Sequence, residues 1–208
     1  MLKEKLQDFR LILASVSPRR QYLMKEAGFD FELRIGSEME ESYPASLAPK
    51  DIPAYLAELK ASSFEGRLNP NEIVITADTM VLLEGKVMGK PVDYYAAFDM
   101  LSSLSGRKHE VITGVCLKSA SRQLSFSVET AVWFRHLTEK EIHHYITECK
   151  PFDKAGAYGV QEWIGYIGVE RIEGSYFNIV GLPIQRVYVE LGKFIDEIDA
   201  AAGEKGKQ

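Results

Sequence analysis

Two adjacent arginines stand where a helix gains nothing from positive charge. The stretch LILASVSPRRQYLMKEAG (11–28) predicts a buried strand that runs through small residues into a helix with Ser17 as its N-cap. Arg19 and Arg20 then fall in the first turn, where the helix dipole makes each cation unfavourable by about 0.3–1 kcal/mol. A bound polyphosphate would turn this cost into an attraction, with backbone N–H groups and the Ser15 hydroxyl contributing. The alternative is that both arginines extend into solvent or pair with acidic loops.

One carboxylate interrupts the most strand-like segment of the chain. Asp78 is the only charged residue from Ile73 to Leu83, in the run IVITADTMVLL. Burying an unpaired carboxylate is unfavourable, so Asp78 must be bound to a metal, hydrogen-bonded or protonated. A functional carboxylate here would bind a divalent cation or activate water, whereas a structural one would be held by a turn or a buried arginine. Because no turn residue adjoins Asp78, the functional interpretation is favoured.

Other segments could add groups to a binding cleft. Lys60 flanks the apolar face of a predicted helix, where its amine could reach a neighbouring cleft. Lys90 lies in the short loop GKP, and Gln161 ends the glycine-broken segment FDKAGAYGVQ, where its amide offers a donor and an acceptor to a base. Taken singly, these are more simply explained as a solvated lysine and an irregular connection. Glu40 and Glu41 lie in an acidic loop that is either solvated or adds carboxylates to a metal site.

The composition of the chain limits the classes of protein in which these groups could act. The chain has 208 residues and a net charge of −5, which argues against a charge-driven complex with a nucleic acid polymer. Cys116 and Cys149 are too few for a disulfide framework, so a reduced, cytoplasmic setting is expected. No apolar run is long enough for a membrane helix, so no membrane association is expected. A single domain over 1–208 is predicted, with an ordered core at about 10–198 and a frayed tail at 199–208.

Periodicity predicts the elements that would position these groups. The predicted strands cover 10–14, 29–35, most of 72–91 with a turn at 84–86, 109–120 and 123–137, with a hairpin or strand pair at 168–183. The predicted helices cover 18–27, 51–64, 93–104, 138–148 and 183–198. This order is typical of a mixed α/β fold in which helices pack on a largely mixed sheet.

Taken together, six segments resemble the Maf family of nucleoside triphosphate pyrophosphatases. LASVSPRR is similar to the family's N-terminal signature, TADTMV to its central acidic motif and GKP to its lysine loop. LSGRKHEVITGV, FDKAGAYGVQ and RIEGSYFNIVGLP are similar to later blocks, in the family's order. The resemblance runs from about Leu11 to Leu191, and six blocks in register are far more specific than any one of them.

The resemblance implies both a fold and an activity. The fold is an elongated mixed β-sheet flanked by helices, with two lobes around a cleft, as in the inosine-triphosphate pyrophosphatases. The activity is hydrolysis of a nucleoside triphosphate to the monophosphate and diphosphate with a divalent metal, Mg²⁺ or Mn²⁺. Asp78 matches the family's proposed proton acceptor, and Arg19, Thr79 and Gln161 match positions associated with base choice. The forms SPRR, ADT and YGVQ resemble the branch that acts on dTTP and UTP.

This resemblance leads to an interpretation residue by residue. The triphosphate is expected to be held by Ser15, Arg19, Arg20, Lys60 and Lys90. Asp78, together with Glu40, is expected to position the metal and the attacking water, and the family implies a homodimer. QEWIGYIGVE departs from the family's glycine-rich QGLG, so Glu162 and Trp163 bear on the edge of the base pocket. The alternatives are a pyrophosphatase for another nucleotide, such as 7-methyl-GTP, and a nucleotide-binding regulator of cell division.

Overall fold

The computed structural model describes residues 1–37 and 39–205, with side chains described up to residue 201. Seven strands are found in this part of the chain: β1 (Arg10–Leu13), β2 (Phe31–Leu33), β3 (Glu72–Leu83), β4 (Lys86–Met88), β5 (Lys108–Lys118), β6 (Gln123–Phe134) and β7 (Val169–Glu173). The α-helices are α1 (Leu2–Lys5), α2 (Pro18–Glu26), α3 (Ile52–Ser62), α4 (Tyr94–Leu104), α5 (Glu139–Cys149), α6 (Trp163–Gly168), α7 (Tyr176–Val180) and α8 (Ile184–Lys205). None of the helices in the described part is both long and apolar enough to cross a bilayer.

The strands form one mixed sheet in the order β2-β1-β3-β5-β6-β7. β1 runs parallel to both β2 and β3, and the pairs from β3 through β7 are antiparallel. β4 pairs with the far end of β3, on the edge opposite β5. The mixed sheet flanked by helices confirms the predicted fold class.

Side chains alternate across β3 and divide its residues between two faces. Ile73, Ile75 and Ala77 point into the main core, which α4, α5 and α8 complete with buried leucine, isoleucine and phenylalanine side chains. Each such side chain contributes about 1.5–3 kcal/mol on full burial. Thr76 faces the other way, and its hydroxyl donates to the Ala57 carbonyl of α3 at 2.6 Å. α3 therefore covers the second face of the sheet.

Side-chain caps define the starts of two helices. Asp93 caps α4, and its carboxylate accepts from the Ala96 N–H at 2.8 Å. Thr138 and Glu141 form the capping box of α5, in which each side chain bonds the other residue's backbone N–H. These caps satisfy N–H groups that a helix leaves unpaired at its start, so they fix where α4 and α5 begin.

The hairpin or strand pair predicted at 168–183 is confirmed for its first strand and wrong for its second. β7 ends at Glu173, Gly174 follows with a φ of +128° that suits glycine, and α7 then begins after Ser175. The Ser175 hydroxyl accepts from the Asn178 N–H at 3.3 Å, so local capping overrides the strand-forming residues of SYFNIV. α8 also extends to Lys205 rather than ending at Ile198, because its last residues include alanines, which favour helix. The remainder of the predicted tail, 206–208, lies outside the described residues.

Candidate active site

An open stretch along one edge of β3 creates the site. β1 pairs with β3 only as far as Ile75, and β4 pairs with it only from Val81 onward. Between these points, the chain leaves β1 through the loop 14–17 and enters α2. The result is a cleft of about 650 Å³ beside the carboxyl end of β1. Crevices of this kind, outside the carboxyl ends of strands, are where open α/β sheets bind ligands.

Nearly all the predicted site residues line this cleft. Among the described residues around it are Ser15, Arg19, Arg20, Glu41, Lys60, Asp78, Thr79, Lys90, Asp153, Lys154, Gln161 and Gly181. Cationic side chains outnumber anionic ones by five to three in this described lining, although the whole chain carries a net charge of −5. The cleft therefore concentrates positive charge, as a site for a polyanion requires.

Asp78 and Lys60 form the centre of the site. The Lys60 ammonium on α3 lies 2.6 Å from one carboxylate oxygen of Asp78 and 3.2 Å from a carboxylate oxygen of Glu41. The Asp78 side chain is only 14% exposed, so the ion pair compensates for its burial. Two carboxylates thus converge on one cation.

Glu41, rather than Glu40, is the acidic-loop residue that reaches this point. Glu40 is exposed and is not part of the described lining of the cleft. The segment around both residues is neither helix nor strand. No periodicity in the sequence therefore distinguishes the two glutamates. Glu41, and not Glu40, has the position expected of the second metal-binding carboxylate.

The carboxylate pair also provides a test for a metal. No group of three or more His, Cys, Asp or Glu side chains with metal-site geometry occurs in the described part of the chain. Magnesium commonly uses one or two protein carboxylates together with water and substrate phosphate oxygens. Asp78 and Glu41, which already approach the same ammonium, fit that requirement as hard oxygen ligands.

Arg20 is held inside the site by several bonds. Its guanidinium donates to the carbonyls of Ala77 and Gly181, each at 2.8 Å, and to the Thr79 hydroxyl at 3.1 Å. A longer bond of 3.4 Å reaches the Ser15 hydroxyl. Burial lowers the pKa of Arg20 and the nearby Asp78 carboxylate opposes that shift. Most of its N–H groups are occupied by protein atoms, so Arg20 shapes the cleft as well as charging it.

Thr79 is the next link in a buried polar chain. Its hydroxyl lies 2.9 Å from the Thr113 hydroxyl, and Thr113 donates to the Asn178 carbonyl at 3.0 Å. The Asn178 amide in turn donates to the Val111 carbonyl at 3.0 Å. These partners were missed because they come from β5 and α7, and the wrong strand prediction for α7 hid the contribution of Gly181 and Asn178.

Arg19, Gln161 and Lys90 also line the cleft. Arg19 pairs with Asp153 at 3.1 Å, which turns it across the cleft rather than into solvent. The Gln161 side chain lines the cleft and makes no hydrogen bond to another described residue. Lys90 is exposed in the loop after β4 and faces the same space. Lys90 and Gln161 have no polar side-chain partner among the described residues, so their polar ends are available to a ligand.

Comparison with known proteins agrees with this geometry. The family model for Maf-like proteins matches residues 10–194. A dTTP/UTP pyrophosphatase of Bacteroides thetaiotaomicron is 52% identical over 90% of this chain and 97% of the relative, and one of Phocaeicola vulgatus is 50% identical over 91% and 98%.

Similarity to solved structures is much weaker. A dITP/XTP pyrophosphatase structure from Mycobacterium abscessus has a TM-score of 0.39 and 13% identity, covering 62% of this chain and 76% of that chain. That likeness is too low to support a functional conclusion. The match over residues 10–194, together with relatives at about half identity along nearly their whole length, is decisive. The chain belongs to the Maf family.

Proposed function

We propose that this protein is a nucleoside triphosphate pyrophosphatase that hydrolyses dTTP and UTP to the monophosphate and diphosphate. The two relatives at 52% and 50% identity carry that activity in their names. The observation that carries the proposal is the position of Asp78, a carboxylate on the open edge of β3 in a cleft rich in cations. A protein that only bound nucleotides would not need a carboxylate beside the phosphate groups.

Asp78 is the proton acceptor in the proposed reaction. It takes a proton from a water molecule whose oxygen bonds to the α-phosphorus, while the bond from that phosphorus to the bridging oxygen breaks and diphosphate leaves. Attack at the α-phosphorus follows the family resemblance. Catalysis rests mainly on positioning and electrostatic stabilisation, because the charge that develops is spread over phosphate oxygens.

Cationic and hydroxyl groups hold the triphosphate in this scheme. The residues assigned to this role are Ser15, Arg19, Arg20, Lys60 and Lys90. Lys60 pairs with Asp78 and Glu41 in the structure, and its flexible stem lets the ammonium turn towards a phosphate. Arg19, Thr79 and Gln161 are assigned to recognition of the base.

Asp78 and Glu41 would hold a divalent cation, Mg²⁺ or Mn²⁺. Such an ion supplies neutralisation of phosphate charge and a better leaving group. The proposal also includes a cytoplasmic location, where free nucleotides occur, and the homodimer that the family resemblance implies. Light scattering on a sizing column tests the homodimer directly.

A substrate panel tests the activity. Diphosphate release is measured with dTTP, UTP, CTP, dATP, dGTP and 7-methyl-GTP, with added Mg²⁺ or Mn²⁺ and with EDTA. We expect dTTP and UTP to give the highest kcat/KM, and EDTA to abolish release. Preference for 7-methyl-GTP would replace the substrate assignment. Tight binding without diphosphate release would identify a regulator instead.

A further inference from the structure

A chain of alternating charges joins the two sides of the cleft that are assigned to the base. Asp153 pairs with Arg19 at 3.1 Å and with Lys154 at 2.7 Å. Lys154 also pairs with Glu162, at 3.0 Å, and its side chain is only 10% exposed. Glu162 directly follows Gln161 in sequence. A sequence of four alternating charges therefore runs from Arg19 to the neighbour of Gln161.

The Glu162 end of this chain is anchored in the core. The hydroxyl of Tyr145, a fully buried residue of α5, donates to a carboxylate oxygen of Glu162 and accepts from the Gly159 N–H at 3.0 Å. Burial raises the pKa of Tyr145 and the bond to Glu162 raises it further, so the hydroxyl stays a donor. One tyrosine thus fixes both the carboxylate and the backbone of the loop before Gln161.

Glycine at 159 makes room for the carboxylate. A Cβ added at Gly159 would lie 2.8 Å from the carboxyl carbon of Glu162, closer than real contacts allow. The carboxylate therefore lies directly against the loop backbone, two residues before Gln161. Glu162 itself is not in the described lining of the cleft, whereas Gly159, Gln161 and Lys154 are.

We propose that Glu162 is a positioning residue for base recognition: it holds the backbone next to Gln161 and, through Lys154 and Asp153, the guanidinium of Arg19. This inference rests on the proposed function. Arg19 offers only donors, and Gln161 offers a donor and an acceptor. A Gln161 amide held with its oxygen towards the base accepts from the ring N–H of uracil or thymine while Arg19 donates to a carbonyl oxygen; cytosine has no ring N–H there and would require the amide to turn over. Glu162 thereby sets the preference for UTP over CTP.

Glu162→Gln is the variant that tests the inference. It keeps the size of the side chain and an acceptor for Tyr145, and it removes one of the two carboxylate charges that hold Lys154. We expect the ratio of kcat/KM for UTP to that for CTP to fall about tenfold, mainly through a higher KM for UTP. Glu173→Gln is the matched control, because Glu173 is an exposed glutamate paired only with Arg171 among its described neighbours. The control should keep the wild-type ratio.

Tyr145→Phe provides an independent second variant. It removes the hydroxyl that anchors both Glu162 and Gly159 and should lower the same ratio. A folded Glu162→Gln variant with the wild-type UTP/CTP ratio overturns the inference while leaving the proposed function intact. Equal losses of kcat/KM for UTP and CTP, in proportion to the fraction of protein that is folded, also overturn it, because they indicate a purely structural role. Wild-type protein that releases no diphosphate from any nucleoside triphosphate refutes the proposed function, and this inference with it.

Discussion

The Arg20 guanidinium bonds the Ala77 carbonyl of β3 just beyond the point where β1 stops pairing with β3. The last backbone bond between these segments runs from the Ala14 N–H to the Ile75 carbonyl at 3.0 Å. Two residues further along the same edge of β3, the Ala77 carbonyl accepts from the Arg20 guanidinium at 2.8 Å. A side chain at the start of α2 thus continues the pairing that the strand leaves off, and it opens the cleft without leaving that carbonyl unpaired.

Arg20→Ala should therefore destabilise the fold as well as weaken nucleotide binding. The Ala77 and Gly181 carbonyls lose their guanidinium donor, and unpaired buried polar groups each cost about 1–3 kcal/mol. We expect a loss of about 2–5 kcal/mol in the free energy of unfolding, measured by urea denaturation. Arg19→Ala is the control, because its ion pair with the 61%-exposed Asp153 should contribute only about 0–1 kcal/mol. Equal losses in the two variants would contradict this distinction.

Asp78→Asn should remove catalysis and keep the fold. Asparagine has the same shape and can still accept from Lys60, but it cannot take a proton from water. We expect kcat for diphosphate release to fall by about 10²–10⁴, the usual contribution of a general base. Circular dichroism and the melting temperature report whether the variant is folded. Near-normal turnover in a folded variant would remove Asp78 from the mechanism.

Glu40 and Glu41 form a natural pair of variants for the metal site. Only Glu41 approaches the ammonium that Asp78 also contacts. Glu41→Gln should raise the Mg²⁺ concentration needed for half-maximal activity by about tenfold, as expected when one carboxylate ligand is lost. Glu40→Gln should leave it unchanged. If Glu40→Gln raises the required Mg²⁺ concentration and Glu41→Gln does not, Glu40 is the ligand, as the sequence analysis expects.

His109 should make stability depend on pH. It is almost completely buried, its Nε2 lies 2.7 Å from the Tyr158 hydroxyl, and burial lowers its pKa to about 4. In the unfolded chain this histidine binds a proton near pH 6.5. The contribution of His109 to the stability of the folded state is therefore complete above pH 6.5 and is lost as the pH falls towards 4. The shift corresponds to about 3 kcal/mol.

His109→Gln isolates this contribution, since glutamine can bond Tyr158 without titrating. Urea denaturation at several pH values between 7 and 4 should give a steeper loss of stability for the wild type than for the variant. Parallel curves would show that His109 binds its proton equally in the folded and unfolded states.

Patterns within one segment could be interpreted from the sequence, and contacts between segments could not. Periodicity predicted β1, β3, α4 and α5, because this signal lies inside the element that it specifies. The cleft residues were predicted from the order of motifs rather than from any single motif. The structural role of Arg20 was not predicted, because the sequence does not show that β3 continues in the sheet beyond the last residue of β1. Both Glu40 and Glu41 were candidates, but the sequence did not show which of them faces Lys60, because a segment without periodicity does not specify side-chain direction.

Gly114 shows how a residue without functional groups can control chemistry. It lies directly opposite Asp78 in the pairing of β3 with β5, and a Cβ there would collide with the backbone of Pro53 and Ala54 at the start of α3. The lack of a side chain at Gly114 lets the start of α3 pack directly on β5, and the same helix carries the Lys60 that pairs with Asp78. A single methyl group at this position would push against the backbone of Pro53 and Ala54 and alter the surroundings of Asp78 without changing any of its polar partners. The sites most sensitive to mutation in such an enzyme therefore include positions that a search for reactive side chains would pass over.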